Sequence, residues 1–287
     1  MLWILILLAA VALLWLFCAL PQLPTRSMHD FEGWDYAHRG LWDAYRPENT
    51  LTAFRRAVRE GYGIELDVQL TADGELAVFH DDSLDRMCGV RKPLSDCTLT
   101  ELRGYPLLDT AEVIPTLPEV LRVVDGAVPL IVEIKQGPHL RELCQKVDLL
   151  LQRYPGVACV ESFDPRVGRW FRKNRPRRIR GQLTAFPVRK SVCQRNVKTM
   201  CLGLMLSNLV SRPDFVAQEA ATDRNPFFRV MRLLGAHTVA WTVRSQEQMD
   251  SLRGRYDLQI FDSFVPGTNP GSGETEEPGE TEGTEET

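Results

Sequence analysis

The sequence contains no CxxC pair, and its seven cysteines are scattered along the chain. Neither a zinc knuckle nor a dithiol redox motif is therefore indicated, and the pattern is typical of reduced thiols in a domain facing the cytosol. A hydrophobic fraction of 44% and a charged fraction of 25% are those of an ordinary globular protein with a sizeable core. These proportions exclude a disordered or fibrous chain as a whole.

Basic residues are absent from residues 266–287, which carry seven glutamates. Without those glutamates, the formal net charge of −4 becomes +3 for the rest of the chain. This segment repeats Gly, Pro, Glu and Thr without a large apolar side chain, so it cannot bury enough surface to offset chain ordering. We expect a disordered acidic tail over 266–287, and a mildly basic remainder that suits a phosphate-bearing substrate or an anionic membrane.

No charged residue interrupts the apolar run over residues 2–20. At 1.5 Å per residue this run covers roughly 28 Å, close to the hydrocarbon thickness of a bilayer. We expect a transmembrane anchor over 1–21 and a linker over 22–32. A cleaved signal peptide is the alternative, but no basic region precedes the run and no small-residue cleavage site follows Cys18. With Arg26 the only nearby basic residue, the positive-inside rule places the following domain on the cytoplasmic side of the cell membrane, as a single-pass protein.

Between residues 33 and 265, short β-branched or apolar runs alternate with helix-compatible stretches, the pattern of βα units around a parallel sheet. We predict an α/β fold, a TIM-type (β/α)8 barrel that occupies this whole region. The predicted strands are residues 34–38, 64–70, 75–80, 128–135, 157–163, 179–183, 202–206, 238–243 and 258–262.

The second and third predicted strands are separated by four residues that end in Asp73-Gly74, a turn signal. A helical crossover does not fit in this space, so a tight turn must join the strands. A hairpin centred on Asp73-Gly74 would place Asp67 opposite Val78 and Glu65 opposite His80. A parallel return without a helix is the alternative.

Polar clusters occur at the ends of predicted strands, where a barrel of this type builds its active site. Glu65 and Asp67 alternate along one strand and so project to the same side. Because adjacent buried carboxylates repel each other, a bound divalent cation would resolve the conflict. With Glu133 as a third carboxylate and no Cys or His at ligand spacing, the sequence predicts an all-oxygen site for Mg²⁺ or Ca²⁺.

Two of the five histidines, His38 and His80, end strands next to these acidic clusters. Cleavage of a phosphodiester needs a base for the attacking hydroxyl and an acid for the leaving alkoxide, and imidazole can serve as either. Arg39 and Lys135 can hold the non-bridging phosphate oxygens. Alternatively, Glu133 and Lys135 form only an internal ion pair.

In their order and spacing, these residues resemble the glycerophosphodiester phosphodiesterases over essentially the whole domain. The matching motifs are Tyr36-Ala37-His38-Arg39-Gly40, Pro47-Glu48-Asn49-Thr50, Glu65-Leu66-Asp67 through Asp73-Gly74, His80-Asp81 through Leu84-Asp85-Arg86, Ile114-Pro115-Thr116-Leu117, Glu133-Ile134-Lys135, Ser162-Phe163-Asp164 and Trp241-Thr242-Val243. A Thr-Asp pair is usual near the end of the family's domain, where Phe261-Asp262 stands here.

This resemblance implies hydrolysis of a glycerophosphodiester to an alcohol and glycerol phosphate, with a neighbouring glycerol hydroxyl as the internal nucleophile. It further implies that His38 and His80 are the acid/base pair and that Glu65, Asp67 and Glu133 bind the metal. Arg39 matches the phosphate-contacting arginine, and Glu48 matches a metal-associated or orienting glutamate.

Other readings stay open at this point. Glu48 could belong to a first helical turn, where its charge favours the helix dipole, and Trp241 could be either barrel packing or a substrate wall. The chain could act as a lysophospholipase D-type phospholipid diesterase, or as a catalytically silent membrane protein that binds phospholipid headgroups. The eleven basic residues within 166–195 form either a solvated face or a contact with anionic lipid. Nucleic acid is not an expected partner, because this basic run matches no recognised nucleic-acid-binding module.

Overall fold

Eight parallel strands form a closed barrel in the computed structural model, which describes residues 1–23, 26–185, 197–222 and 225–267, with only the backbone at Lys198 and Thr199. The first barrel strand pairs with both the second and the last, which closes the ring, and a ninth strand pairs antiparallel with the second. The predicted TIM-type fold is therefore confirmed. The strands are β1 (Asp35–His38), β2 (Gly63–Leu70), β3 (Leu76–Val78, antiparallel), β4 (Leu130–Ile134), β5 (Ala158–Ser162), β6 (Arg180–Thr184), β7 (Phe215–Glu219), β8 (His237–Val243) and β9 (Leu258–Phe261).

Helices cover the outside of the barrel and several begin at side-chain caps that the sequence supplies. Thr50 caps the helix after β1 by accepting a hydrogen bond from the backbone of Ala53, and Asp164 caps the helix after β5. The helices are α1 (Leu2–Ala19), α2 (Leu51–Arg59), α3 (Asp85–Cys88), α4 (Leu99–Leu102), α5 (Leu117–Val124), α6 (Leu140–Leu151), α7 (Pro165–Asn174), α8 (Val197–Gly203), α9 (Asn208–Ser211), α10 (Pro226–Leu233) and α11 (Gln246–Leu252).

The prediction of a strand over 202–206 is wrong. Leu202 and Gly203 end α8, the following residues form turns, and the sixth strand of the closed ring is instead β7. The run Leu202-Gly203-Leu204-Met205-Leu206 is apolar enough to imitate a buried strand, whereas β7 contains Ala217, Gln218 and Glu219 and reads as polar. Short apolar runs do not distinguish a strand from buried helical turns.

The predicted hairpin between β2 and β3 is confirmed, but its predicted register is wrong by one residue. Val68 pairs with Val78, and the backbone amide of Phe79 donates to the carbonyl of Asp67 at 3.0 Å. The turn contains three residues instead of two, with Gly74 at φ +79° in the left-handed region. A three-residue loop of this kind ends in a residue that glycine suits best, and it shifts the pairing by one position.

The inner surface of the barrel is apolar towards the N-terminal ends of the strands. Tyr36, Ile131 and Phe215 belong to this inner cluster, and Met28 and Phe31 pack into it from below, 1% and 4% exposed. Residues 22–32, predicted as a linker, thus place two large side chains under the barrel. The polar side chains that matter for chemistry lie towards the opposite, C-terminal ends of the strands.

Helix α1 is 18 residues long with a mean hydropathy of 2.8, and only 6% of it is buried. It is long and apolar enough to cross a membrane, a property that signal sequences share. Its last turn contacts the barrel through specific bonds. Asn208 donates to the carbonyl of Ala19 at 2.7 Å, and Arg212 donates to those of Phe17 and Leu20 at 3.0 and 2.8 Å. The predicted acidic tail lies, from residue 268 onwards, outside the described residues.

Candidate active site

Four acidic side chains lie side by side on the inner face of the barrel. Asp67 of β2 is in register with Glu133 of β4, which is in register with Glu161 of β5. Glu65 lies two residues before Asp67 and so projects to the same side. All four residues are at most 8% exposed. Oxygens of Glu65, Asp67 and Glu133 lie within 4.8 Å of one another. The predicted convergence of these three carboxylates is therefore present.

The pKa values of these acidic side chains differ because the positive charges of Lys135 and Arg39 act most strongly on Asp67. Burial, together with repulsion from Asp67 and Glu133, raises the pKa of Glu65 well above its ordinary value. Burial also raises the pKa of Glu133, to about 7. Burial would raise the pKa of Asp67 as well, but Lys135 and Arg39 hold it far below its usual range. Asp67 therefore stays ionised. A further positive charge nearby would stabilise the ionised forms of Glu65 and Glu133.

Lys135 and Arg39 approach the acidic group from opposite sides. The Nζ atom of Lys135 lies 2.7 Å from Asp67 and 2.8 Å from Glu133, so the alternative of an internal ion pair describes its contacts in this structure. The backbone amide of Arg39 donates to Glu65 at 3.0 Å, and its Nε lies 3.4 Å from Asp67. Asn49 adds a hydrogen bond from Nδ2 to Asp67 at 2.8 Å.

The turn after Arg39 depends on a glycine. Gly40 has φ +82°, and a Cβ atom there would lie 2.9 Å from the ring of Phe54. Only glycine combines that backbone conformation with that close approach. The turn aims the backbone amide of Arg39 at Glu65.

His38 ends β1 and is fixed by a carboxylate from the last strand segment. Its Nδ1 lies 3.0 Å from Oδ2 of Asp262, and its Nε2 lies 4.0 Å from Glu65. Because Asp262 is ionised and can only accept, Nδ1 must carry the proton and Nε2 is left facing the carboxylates. Burial lowers the pKa of His38, and Asp262 partly opposes that effect.

His80 follows β3 and is held in a similar way. Its Nδ1 lies 2.6 Å from Asp81, whose other oxygen accepts from Nε of Arg86 at 2.6 Å. Arg86 also donates to Glu48 at 2.6 and 3.0 Å, and Glu48 accepts from Arg39 at 2.7 Å. A continuous chain of charge-assisted hydrogen bonds thus links the second histidine to Arg39. Burial lowers the pKa of His80.

Glu48 does not belong to a first helical turn, since α2 begins only at Leu51 behind its cap Thr50. The carboxylate is 12% exposed and is occupied by two arginines. Burial would raise the pKa of Glu48, but Arg86 and Arg39 lower it below its ordinary value. Glu48 therefore bridges the guanidinium groups of Arg39 and Arg86.

A cavity of about 110 Å³ opens between these groups. Both histidines, Arg39 and three of the acids line one side, and a wall of Phe163, Trp241, Leu183 and Ile260 lines the other. The rings of Phe163 and Trp241 meet edge to face at 5.5 Å, and Trp241 donates from Nε1 to the carbonyl of Ala217. One side of the cavity suits a charged group and the other suits carbon.

The three carboxylates fit a divalent cation. Mg²⁺ and Ca²⁺ bind oxygen at about 2.0–2.6 Å, so ligands around one ion are separated by up to about 5 Å. The separation of 4.8 Å or less between Glu65, Asp67 and Glu133 meets that requirement. Among the described residues, no other group of three or more His, Cys, Asp and Glu side chains converges in this way.

The structure brings all nine predicted site residues to one end of the barrel: His38, Arg39, Glu48, Glu65, Asp67, His80, Glu133, Lys135 and Trp241. Sequence reasoning did not assign site roles to Asn49, Asp81, Arg86, Glu161 or Asp262. Position next to the motifs could have identified four of these residues: Asn49, Asp81, Arg86 and Asp262 all stand inside or beside them. Glu161 directly precedes the motif Ser162-Phe163-Asp164, but its place among the acidic side chains depends on register with Glu133.

Comparison with known proteins gives concordant results. Residues 38–256 match the glycerophosphoryl diester phosphodiesterase family. Over 129 residues the chain is 39% identical to a glycerophosphodiester phosphodiesterase of Bacillus altitudinis, a match that covers 42% of this chain and 48% of that relative. The matched part thus spans about half the relative's length.

Two solved structures resemble the fold. A glycerophosphodiester phosphodiesterase from Thermotoga maritima has a TM-score of 0.60 and 25% identity, covering 82% of this chain and 96% of that chain. An Oleispira antarctica phosphodiesterase, in complex with the product sn-glycerol-3-phosphate, has a TM-score of 0.66 and 21% identity, covering 82% and 95%. The family match encloses every predicted site residue.

Proposed function

The chain belongs to the glycerophosphoryl diester phosphodiesterase family, and from that premise we propose that it hydrolyses glycerophosphodiesters to an alcohol and glycerol phosphate. The observation that carries the proposal is the convergence of Glu65, Asp67 and Glu133 within 4.8 Å, next to two carboxylate-bound imidazoles in one cavity. The product named in the Oleispira antarctica structure, sn-glycerol-3-phosphate, agrees with this reaction.

Glu65, Asp67 and Glu133 would hold one divalent cation, Mg²⁺ or Ca²⁺. When bound, such an ion polarises a phosphoryl oxygen and neutralises charge that develops in the transition state. The raised pKa values of Glu65 and Glu133 support this assignment, because two carboxylates that ionise reluctantly together are stabilised by a cation between them.

His38 and His80 would act as the acid/base pair. Each imidazole donates from Nδ1 to its own aspartate, so each presents Nε2 for proton transfer. One takes the proton of the attacking glycerol hydroxyl and the other gives a proton to the leaving alkoxide, which releases the alcohol and forms a cyclic phosphate. With the two roles reversed, water then opens the cyclic phosphate to give glycerol phosphate. The fixed tautomer is the contribution of Asp262 and Asp81.

The remaining predicted residues would bind substrate. Arg39 and Lys135 face the non-bridging phosphate oxygens, with Glu48 orienting the guanidinium of Arg39. Trp241 and Phe163 form the apolar wall for the carbon skeleton. Lys135 also borders a wider groove of about 570 Å³ along residues 135–140, which has room for a second substituent of the phosphate.

We further propose that α1 is a retained membrane anchor, that residues 33–265 form the catalytic domain and that 266–287 form a solvated tail. The bonds from Asn208 and Arg212 to the end of α1 support retention, because cleavage after the helix would discard them. Placement in the cell membrane with the barrel on the cytoplasmic side is part of the same proposal.

A product assay on the purified full chain in detergent tests the reaction. A panel of glycerophosphodiesters and lysophospholipids should yield a glycerol phosphate or its acylated form, and a chelator should stop turnover. His38→Ala and His80→Ala should each abolish turnover while leaving the unfolding temperature and its rise on metal addition unchanged. Near-normal activity in either variant would refute the acid/base assignment, and metal binding without turnover of any diester would favour the silent headgroup-binding protein.

A further inference from the structure

The contacts of the N-terminal segment define its direction relative to the strands. The backbone amide of Gln22 donates to the carbonyl of Pro213 at 2.8 Å, and Arg180 donates to the side chain of Gln22 at 3.1 Å. Arg180 is the first residue of β6, and Pro213 lies just before β7. Gln22 is therefore at the N-terminal end of the strands, away from the candidate active site.

Helix α1 reaches the opposite end seven residues earlier in the chain. Trp15 donates from Nε1 to the carbonyl of Leu204 at 2.9 Å. The residues around Leu204 are level with the C-terminal end of the strands, since Thr184, the last residue of β6, donates to the carbonyl of Leu202. The ring of Trp15 also contacts Phe227, near the start of the helix that follows β7. The helix therefore points its N-terminus past the catalytic end of the barrel.

The length of α1 then limits how far the barrel can lie from the bilayer. An 18-residue helix spans about 27 Å, slightly less than a hydrocarbon core of about 30 Å, so all of α1 is needed to cross it. The part of α1 before Trp15 supplies only about 20 Å of this, so the turn docked on the barrel must also enter the bilayer edge. Tryptophan is enriched at that depth.

Two apolar side chains are exposed next to this exit point. Val197 and Met200 of α8 are 78% and 51% exposed, and they lie on the segment that leads to Leu204. The described basic residues 172–178 lie at the end of α7 and before β6, at the other end of the barrel. In this arrangement, the described basic residues 172–178 do not rest on the lipid that surrounds α1.

We infer that the catalytic end of the barrel faces the bilayer, with the segments after β6 and β7 at headgroup depth. The occupant of this surface is a lipid bilayer. The inference extends the proposed function to a substrate class, on which it rests: phosphodiesters held at a membrane surface by an acyl chain reach the site directly, whereas soluble diesters must enter between protein and lipid.

Depth-dependent fluorescence quenching tests the orientation without using activity. In the full chain with Cys18, Cys88, Cys193 and Cys201 replaced by serine, single labels are placed by Val197→Cys, Tyr45→Cys and Leu233→Cys. Tyr45 follows β1, across the barrel from β6, and is 83% exposed, while Leu233 ends α10 at the opposite end and is 86% exposed. Phosphatidylcholine vesicles with nitroxide headgroups in both leaflets provide the quencher, and nitroxide-free vesicles are the control.

Labels at Val197→Cys and Tyr45→Cys should lose fluorescence, and the label at Leu233→Cys should keep it. Loss at Leu233→Cys alone, or unchanged fluorescence at Tyr45→Cys, would overturn the inference. Hydrolysis measured on the same vesicles separates the two proposals. Turnover with an unquenched catalytic end refutes the orientation only, whereas the expected quenching without turnover of any diester supports the orientation and refutes the proposed function.

Discussion

His38 and Asp262 face each other across the seam where the barrel closes, with Nδ1 and Oδ2 3.0 Å apart. His38 ends the first strand and Asp262 follows the last, so barrel closure itself assembles the pair. Ser263 donates to the other oxygen of Asp262 at 2.8 Å. Burial would raise the pKa of Asp262, but the bonds from His38 and Ser263 lower it, which keeps the carboxylate charged.

Asp262→Asn should therefore lower kcat by on the order of 10²- to 10⁴-fold, because an amide can stabilise the wrong tautomer of His38. KM and the unfolding temperature should change little. Steady-state kinetics with a glycerophosphodiester measures the effect, and Ser263→Ala is the matched control with a small expected loss. An Asp262→Asn enzyme with wild-type kcat would contradict the role given to this pair.

Metal addition should stabilise the wild-type chain. A ligand at about a hundred times its Kd contributes about 2.7 kcal/mol to the folded state, which thermal unfolding detects. Glu65→Gln and Glu133→Gln should abolish the shift. Glu161→Gln removes a carboxylate from the same layer of the barrel and should retain it; loss of the shift in Glu161→Gln would mean that four acids bind the ion.

Arg86→Lys should lower kcat by about 10- to 100-fold, as is common for residues that orient catalytic groups. Lysine keeps the charge but cannot bind Asp81 and Glu48 at the same time with a planar fork. Arg91→Lys, at an arginine that is 91% exposed and pairs only loosely with Asp85, is the control and should behave like wild type. If both variants had the same kcat as the wild type, the hydrogen bonds that link His80 to Arg39 would have no role in catalysis.

Asp214→Ala should lower the unfolding temperature by roughly 6–20 °C, because removing one partner of a buried pair costs about 3–5 kcal/mol. Asp214 is fully buried against Arg180, itself 1% exposed. Arg26→Gln removes the half-exposed partner of the same aspartate and should cost about 1 kcal/mol or less. Differential scanning fluorimetry measures the unfolding temperatures of both variants. A similar decrease in the two would mean that the buried pair of Asp214 and Arg180 contributes no more to stability than the partly exposed pair.

The barrel and the apolar N-terminal helix could be predicted from sequence because periodicity and apolar length are local properties. The closed ring of strands and the helix over Leu2–Ala19 follow from such patterns. The seventh strand could not, since β7 carries polar residues in sequence and owes its burial to neighbouring strands. The one-residue error at Val68 and Val78 came from the turn, whose left-handed glycine at 74 adds a residue to the loop.

The candidate site divides in the same way. Residues that alternate within one strand, such as Glu65 and Asp67, could be assigned to one face from spacing alone. Partners that depend on register between strands, such as Glu161, or on barrel closure, such as Asp262, could not. Lys135 was placed correctly beside the acids, but its contacts to Asp67 and Glu133 required coordinates.

The side chains of Met28 and Phe31 fill the end of the barrel that lies away from the two histidines. These two side chains cover the N-terminal end of the barrel, so an ion, water or a diester would reach the acidic side chains from the C-terminal end. Because Met28 and Phe31 follow the end of α1 by nine and twelve residues, the segment that joins the apolar helix to the barrel also closes the barrel's N-terminal end.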